Sequence, residues 1–238
     1  MYMQLSRNKR KSHFSPCIRG KIIVQYVLGL DGESLGGRFY MRKKTHMSLA
    51  RHMLTDMQDD QFFVYGRAFR LGSILPDLVP SFVTKKHQID TTFDILEKKM
   101  RKVVEEYDGR SRLSMMRCKD MGVITHYIAD YFTFPHNRIF AGTMREHIRY
   151  EKVLKYAMKD YMNRGYVGQQ PIIRERLTSV DDICAFIRRC HEHYLQTMEG
   201  KHETDCLYSV EVCRQVMEAM MMLLYMRAAQ MSRMVRPA

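Results

Sequence analysis

Two histidine–carboxylate pairs, His126 with Asp130 and His147 with Glu151, sit at four-residue spacing, and a further histidine, His136, falls between them. On a helix, residues four apart project from one face about one turn apart, so each pair can close on a metal ion from one side. Imidazole nitrogen and carboxylate oxygen are donors typical of catalytic zinc sites, which leave a position open for water. Pro135 breaks the helical track just ahead of His136 and lets that imidazole turn towards the same cavity. The plainer reading of one such pair is a surface ion pair. Two pairs in succession weigh against it. So does the setting of the first pair among Ile124, Ile128, Phe132 and Phe134, a segment that reads as core, where a carboxylate without a partner is costly.

The run His126-x3-Asp130-x5-His136, then ten residues to His147-x3-Glu151, resembles the metal-binding half of the zinc-dependent phospholipase C family, bacterial all-α hydrolases with a zinc cluster. Upstream, Thr45-His46 opening an amphipathic helix resembles that family's N-terminal ligand histidine. Gly72-Ser-Ile-Leu-Pro76-Asp77 resembles its loop aspartate, and His87 its next histidine. The matches run in order over about residues 41 to 155 and take in five of the ten histidines. The resemblance implies one zinc ion held by Asp77, His87, His126 and Asp130 and a second held by His136, His147 and Glu151. A third ion in the family uses the histidine matched by His46, shares the aspartate matched by Asp130, and takes the amine and carbonyl of an N-terminal Trp. This chain has no Trp, so only His46 and Asp130 of that third set are carried over.

The implied reaction is cleavage of phospholipid to diacylglycerol and phospho-headgroup. Paired metals about 3.5–4 Å apart can activate a water and steady the charge developing on the phosphate. Asp77 is the candidate for a double role, zinc ligand and orienter or acceptor of the water's proton. No Ser-His-Asp or Cys-His arrangement, nucleophile elbow or phosphate-cradling glycine loop offers a different mechanism. The competing readings are a single-strand nuclease of the same fold and a non-catalytic metal- or phosphate-binding helical protein. A carboxylate-bridged di-iron bundle is disfavoured, because such bundles use Glu-x-x-His pairs.

The elements that must position these side chains are helices. In 238 residues, 45% are hydrophobic and 27% charged, enough to bury a core; only 13 Gly and 6 Pro argue against a turn-rich sandwich or barrel. Helical periodicity predicts helices over 45–57, 60–73, 88–107, 111–134, 143–164, 179–198 and 204–233, within one all-α domain spanning 41–238. Pro76 and Pro80 put Asp77 in a loop; Thr143 with Glu146 three residues later is the pattern of a capping box, and Ser111 is a second predicted N-cap. Residues 1–40 hold five of the glycines and seven basic against two acidic residues, and read as a basic extension, disordered or upstream of a true start at Met41.

Other features carry less. A net charge of +13 allows attraction through phosphates to an anionic membrane or to nucleic acid without choosing between them, and a solvated basic face is its default reading. Beside the phospholipid or other phosphodiester substrate, peripheral contact with an anionic membrane is the expected partner and nucleic acid the less favoured one, since no reading motif is present. The longest apolar run, from Ala219 to Met226, falls short of the roughly 20 residues a membrane span needs. With no secretory signal read, a cytoplasmic or peripheral-membrane location is expected. Six cysteines without a CxxC pair read as reduced thiols; Cys184 with Cys190 and Cys206 with Cys213 are the disulfide alternatives. His52 faces away from His46. His191, His193 and His202 read as a charged helix face, Met217, Met220, Met221, Met222 and Met226 as helical core, and Tyr127 and Tyr131 either line the site mouth or pack.

Overall fold

The structure, a computed structural model, describes residues 37–57, 59–78, 86–109, 113–164 and 175–235, and among these the secondary structure is helical with no strand. In chain order the helices are α1 (Gly37–Asp56), α2 (Asp60–Val64), α3 (Gly66–Gly72), α4 (Ile89–Glu105), α5 (Met115–Tyr131), α6 (Met144–Asn163), α7 (Val180–Thr197) and α8 (His202–Val235). Short 3₁₀ turns at Leu75–Asp77 and Phe134–His136 complete the set. The all-α class and the order of helices agree with the periodicity. The chain divides after Gly37, and the core described here belongs to the unit Arg38–Ala238; the extension predicted over 1–40 lies, up to residue 36, outside the described residues.

Several boundaries differ from expectation, for local reasons. Helix α1 begins at Gly37, ahead of the predicted 45. The predicted 60–73 element is two helices, because the chain leaves helical geometry at Tyr65 (φ −103°, ψ 20°). Helix α5 starts after Ser114, whose Oγ accepts the Arg117 N–H at 3.2 Å; the predicted cap Ser111 lies outside the described residues. It ends at Tyr131 because Pro135 excludes further helix, and Thr133 is already extended (φ −117°, ψ 121°).

Helix α5 is the centre of the Arg38–Ala238 unit. It packs against α3, α4 and α8, and every residue from Asp120 to Tyr131 is buried. A helix enclosed on all sides shows no polar stripe, which is why its sequence lacks clear amphipathicity. Helices α4 and α7, by contrast, each bury one apolar face, through residues such as Phe93, Leu96 and Met100 on α4 and Ile183, Phe186 and Ile187 on α7. Of the methionines on α8, Met217, Met220 and Met221 are core as expected, but Met222 and Met226 are exposed. Cys118, Cys184, Cys190, Cys206 and Cys213 are buried free thiols, so neither disulfide alternative forms.

A close backbone approach between α3 and α5 sets up the site. A Cβ on Gly122 of α5 would lie 2.0 Å from the Phe69 carbonyl oxygen of α3, and one on Gly72 would lie 2.0 Å from the Lys119 carbonyl oxygen. Only glycine lets the two backbones meet there. Overpacking of this kind typically costs about 1–3 kcal/mol, and here the obstacle is backbone that cannot rotate away. Gly122→Ala should therefore lower stability by about 3 kcal/mol, read as a fall in the urea midpoint; an unchanged midpoint would show that α3 is free to shift.

Candidate metal centre

Four elements meet around the last turns of α5. His126 and Asp130, one turn apart, face a common point; α1 brings His46, the first 3₁₀ turn brings Asp77, and His87 arrives just ahead of α4. The Asp130 carboxylate is the hub: Oδ2 lies 2.8 Å from His87 Nδ1, 3.2 Å from His126 Nε2 and 3.5 Å from His136 Nδ1, while Oδ1 lies 3.2 Å from His46 Nε2. Asp77 Oδ1 is 3.9 Å from His126 Nε2, and His126 Nε2 is 3.1 Å from His87 Nδ1. A second group forms where the Phe134–His136 turn faces α6. Glu151 Oε1 lies 3.3 Å from His136 Nε2 and 2.8 Å from His147 Nε2. The predicted capping box is present, with Thr143 Oγ1 accepting the Glu146 N–H and Glu146 accepting the Thr143 N–H, and it fixes where α6 starts and hence where His147 and Glu151 point.

The eight candidate ligands His46, Asp77, His87, His126, Asp130, His136, His147 and Glu151 are thus brought together. The side chains form three donor groups that could each hold a metal ion: His46, His126 and Asp130; Asp77, His87 and His126; and His136, His147 and Glu151. A cavity of about 30 Å³ lies among residues that include His46, Asp130, His136 and Glu151, enough for a water or an ion.

Two observations test whether this donor set suits zinc. Asp77 is buried, yet among the described residues its Oδ2 has no hydrogen-bond partner, an arrangement that costs about 1–3 kcal/mol unless a ligand satisfies it. The His126 ring is turned so that Nδ1 donates to the Ser73 carbonyl at 2.9 Å, which leaves the Nε2 lone pair aimed into the cluster, the tautomer a metal ligand requires. The set of imidazoles and carboxylates fits zinc.

The electrostatics are those of a carboxylate hub among imidazoles. Burial alone would raise the Asp130 carboxyl, but the facing His136, His126 and His46 rings hold it well below the usual carboxylate range. Burial and the neighbouring His126 push His46 down. For His126 burial acts downward as well, but Asp130 and Asp77 overcome it and raise it. Tyr127 and Tyr131 pack rather than line a mouth: both are fully buried, with the Tyr127 ring edge-on to His87 and the Tyr131 hydroxyl 3.1 Å from Thr92 Oγ1.

The structure also adds residues that the sequence did not disclose. Asp205 on α8 is fully buried beneath the His136 turn; its carboxylate accepts the Phe134 N–H at 2.9 Å, the Tyr150 hydroxyl at 3.0 Å and the Tyr194 hydroxyl at 2.7 Å. Asn137, next to His136, donates to the carbonyls of Tyr131 and Thr133 and meets His191 Nε2 through its Oδ1 at 2.7 Å. His191 is therefore buried and tied to the turn, which corrects its reading as part of a charged helix face. His193 pairs with Tyr208 and His202 stacks on Tyr150, so the three histidines form no cluster of their own.

Burial pushes the Asp205 carboxyl up to about 6, against the pull of its three donors. A carboxyl raised above its unfolded value favours folding most below about pH 4, and that contribution is lost as the pH rises through about 6. Asp205→Asn lacks this dependence. Its stability relative to the parent should improve by about 3 kcal/mol from about pH 4 to pH 7, compared by urea unfolding at each end. A difference that does not change with pH contradicts this.

With the fold and donor set in view, comparison with known families is decisive: residues 45–200 match the family described as zinc dependent phospholipase C, and the chain belongs to that family. No curated protein and no solved structure matches it. Membership implies a zinc-dependent hydrolase with a phospholipid substrate. Among the described residues no helix is long and apolar enough to cross a membrane.

Proposed function

We propose that the chain is a phospholipase C-type phosphodiesterase that cleaves phospholipid to diacylglycerol and phospho-headgroup. One zinc ion would be held by Asp77, His87, His126 and Asp130 and a second by His136, His147 and Glu151, with His46 reaching Asp130 as a partial set for a third. Bound zinc supplies Lewis-acid polarisation of the phosphate and a lowered pKa for an attacking water. The chain's own groups do the rest. Asp77 Oδ2, buried and without a hydrogen-bond partner among the described residues, is the acceptor that orients the water and takes its proton. The Ser73 carbonyl holds the His126 tautomer, and Asp130 stays ionised between its imidazoles. The water oxygen bonds to phosphorus, the bond from phosphorus to the glycerol oxygen breaks, and the departing oxygen takes up the proton.

The observation that carries this reading is the convergence of His and Asp/Glu side chains from α1, the two 3₁₀ turns, α5 and α6 on one buried cluster. The test is hydrolysis of a short-chain phosphatidylcholine by the zinc-loaded protein, run beside single-stranded DNA. Release of phosphocholine that stops with a chelator and returns with zinc is expected. Turnover of the DNA with none of the lipid would transfer the reading to the nuclease alternative.

A further inference from the structure

Helix α6 has two faces with different work. Its inner side buries Glu151, Leu154, Met158 and Tyr161. Its outer side carries Arg145, Arg149, Lys152 and Lys159 in register, interleaved with Met144 (64% exposed) and Tyr156 (66% exposed), while Val153 (49% exposed) flanks the stripe. An open groove of about 600 Å³ runs along the first half of this face, lined by Met144, Arg145, Ile148, Arg149 and Lys152. Among the described residues no carboxylate lies within ion-pair distance of Arg145, Arg149 or Lys152. The acidic groups nearest in sequence are engaged: Glu146 in the cap with Thr143, Asp160 with Arg164, and Glu151 on the inner face with His136 and His147.

From this we infer that the outer face of α6 is a docking surface for an anionic lipid bilayer. Cations in a row next to exposed large apolar side chains match such a surface on both counts: the cations are attracted to the headgroup phosphates and the apolar tips enter the boundary beneath them. A nucleic-acid groove would call for aromatic rings in series, and this face has one, Tyr156, already beneath the Lys155 ammonium at 4.7 Å. Helix α6 carries His147 and Glu151 on its opposite, inner side, so docking would bring the bilayer to the back of the helix that positions them. The inference rests on the phospholipid reading for the choice of surface, but its physical content is separate from catalysis.

The test is co-sedimentation of the full, zinc-loaded chain with vesicles of phosphatidylcholine alone and of phosphatidylcholine containing phosphatidylglycerol. Binding should appear only with the anionic lipid and weaken as salt is added. Each basic residue near an anionic surface contributes about fivefold, so Arg145→Gln, Arg149→Gln and Lys152→Gln together should weaken vesicle binding on the order of a hundredfold. The same variant should hydrolyse a soluble short-chain phosphatidylcholine as the parent does. Binding that ignores lipid charge, or that survives the triple substitution, overturns the inference. So does tighter binding to single-stranded DNA than to the anionic vesicles. If the parent docks through this face but cleaves no phospholipid, the surface stands and the catalytic reading fails; if it cleaves soluble phospholipid but never docks, the reverse holds.

Discussion

Replacing Asp130 by Asn should abolish hydrolysis, with a fall of about a thousandfold or more in kcat/KM at saturating zinc, because the metal chemistry it supports supplies several kcal/mol of transition-state stabilisation. Its two carboxylate oxygens are the only groups of the cluster that reach His46, His87, His126 and His136 together. Asparagine keeps the shape and removes the charge that the surrounding imidazoles hold in its ionised form. The variant then presents several buried ring nitrogens to an amide, which suits neither a metal nor a proton. Far-UV circular dichroism would establish that α5 is intact, so that lost activity reports on the site. Activity within tenfold of the parent would mean that Asp130 is not the hub.

Removing zinc should cost stability on a comparable scale. Any ligand bound only by the folded state stabilises it by RT ln(1 + [L]/Kd), about 4 kcal/mol per site at a thousand times the Kd. The cluster buries Asp77 Oδ2 with no hydrogen-bond partner among the described residues and sets the His46 and His126 ring centroids 4.0 Å apart, groups that a bound ion would satisfy. For a chain of this size each kcal/mol moves the midpoint by about 2–4 °C, so filling one site should raise Tm by about 8–16 °C. Thermal unfolding with a chelator and then with zinc restored measures it. Equal midpoints in the two conditions would indicate that the groups are satisfied without metal.

The parts of this site that can be read along the chain are those whose geometry is local. His126 with Asp130 and His147 with Glu151 follow from helical periodicity, and the α6 cap from Thr143 and Glu146. Asp77 and His87 have no such signature: one sits in a 3₁₀ turn and the other ahead of a helix, so only family resemblance marked them. The residues that hold the His136 turn were invisible, because Asp205 reaches Phe134 across 71 positions and His191 reaches Asn137 across 54. His191 was misread for a physical reason: Arg188, Arg189 and Glu192 around it are charged, yet helical rotation turns it inward beside Cys190 and Tyr194. The acceptor that fixes His126 is the Ser73 carbonyl, a backbone atom no side-chain pattern encodes. Its position depends on the α3–α5 approach at Gly72 and Gly122, for which the isolated glycines were the only trace.

The central claim is that these side chains are zinc ligands, and anomalous diffraction from crystals of the zinc-loaded protein, collected at the zinc edge, tests it most directly. Anomalous peaks are expected at two places: among Asp77, His87, His126 and Asp130, and among His136, His147 and Glu151. Zinc bound elsewhere on the chain, with both of these places empty, would contradict the account.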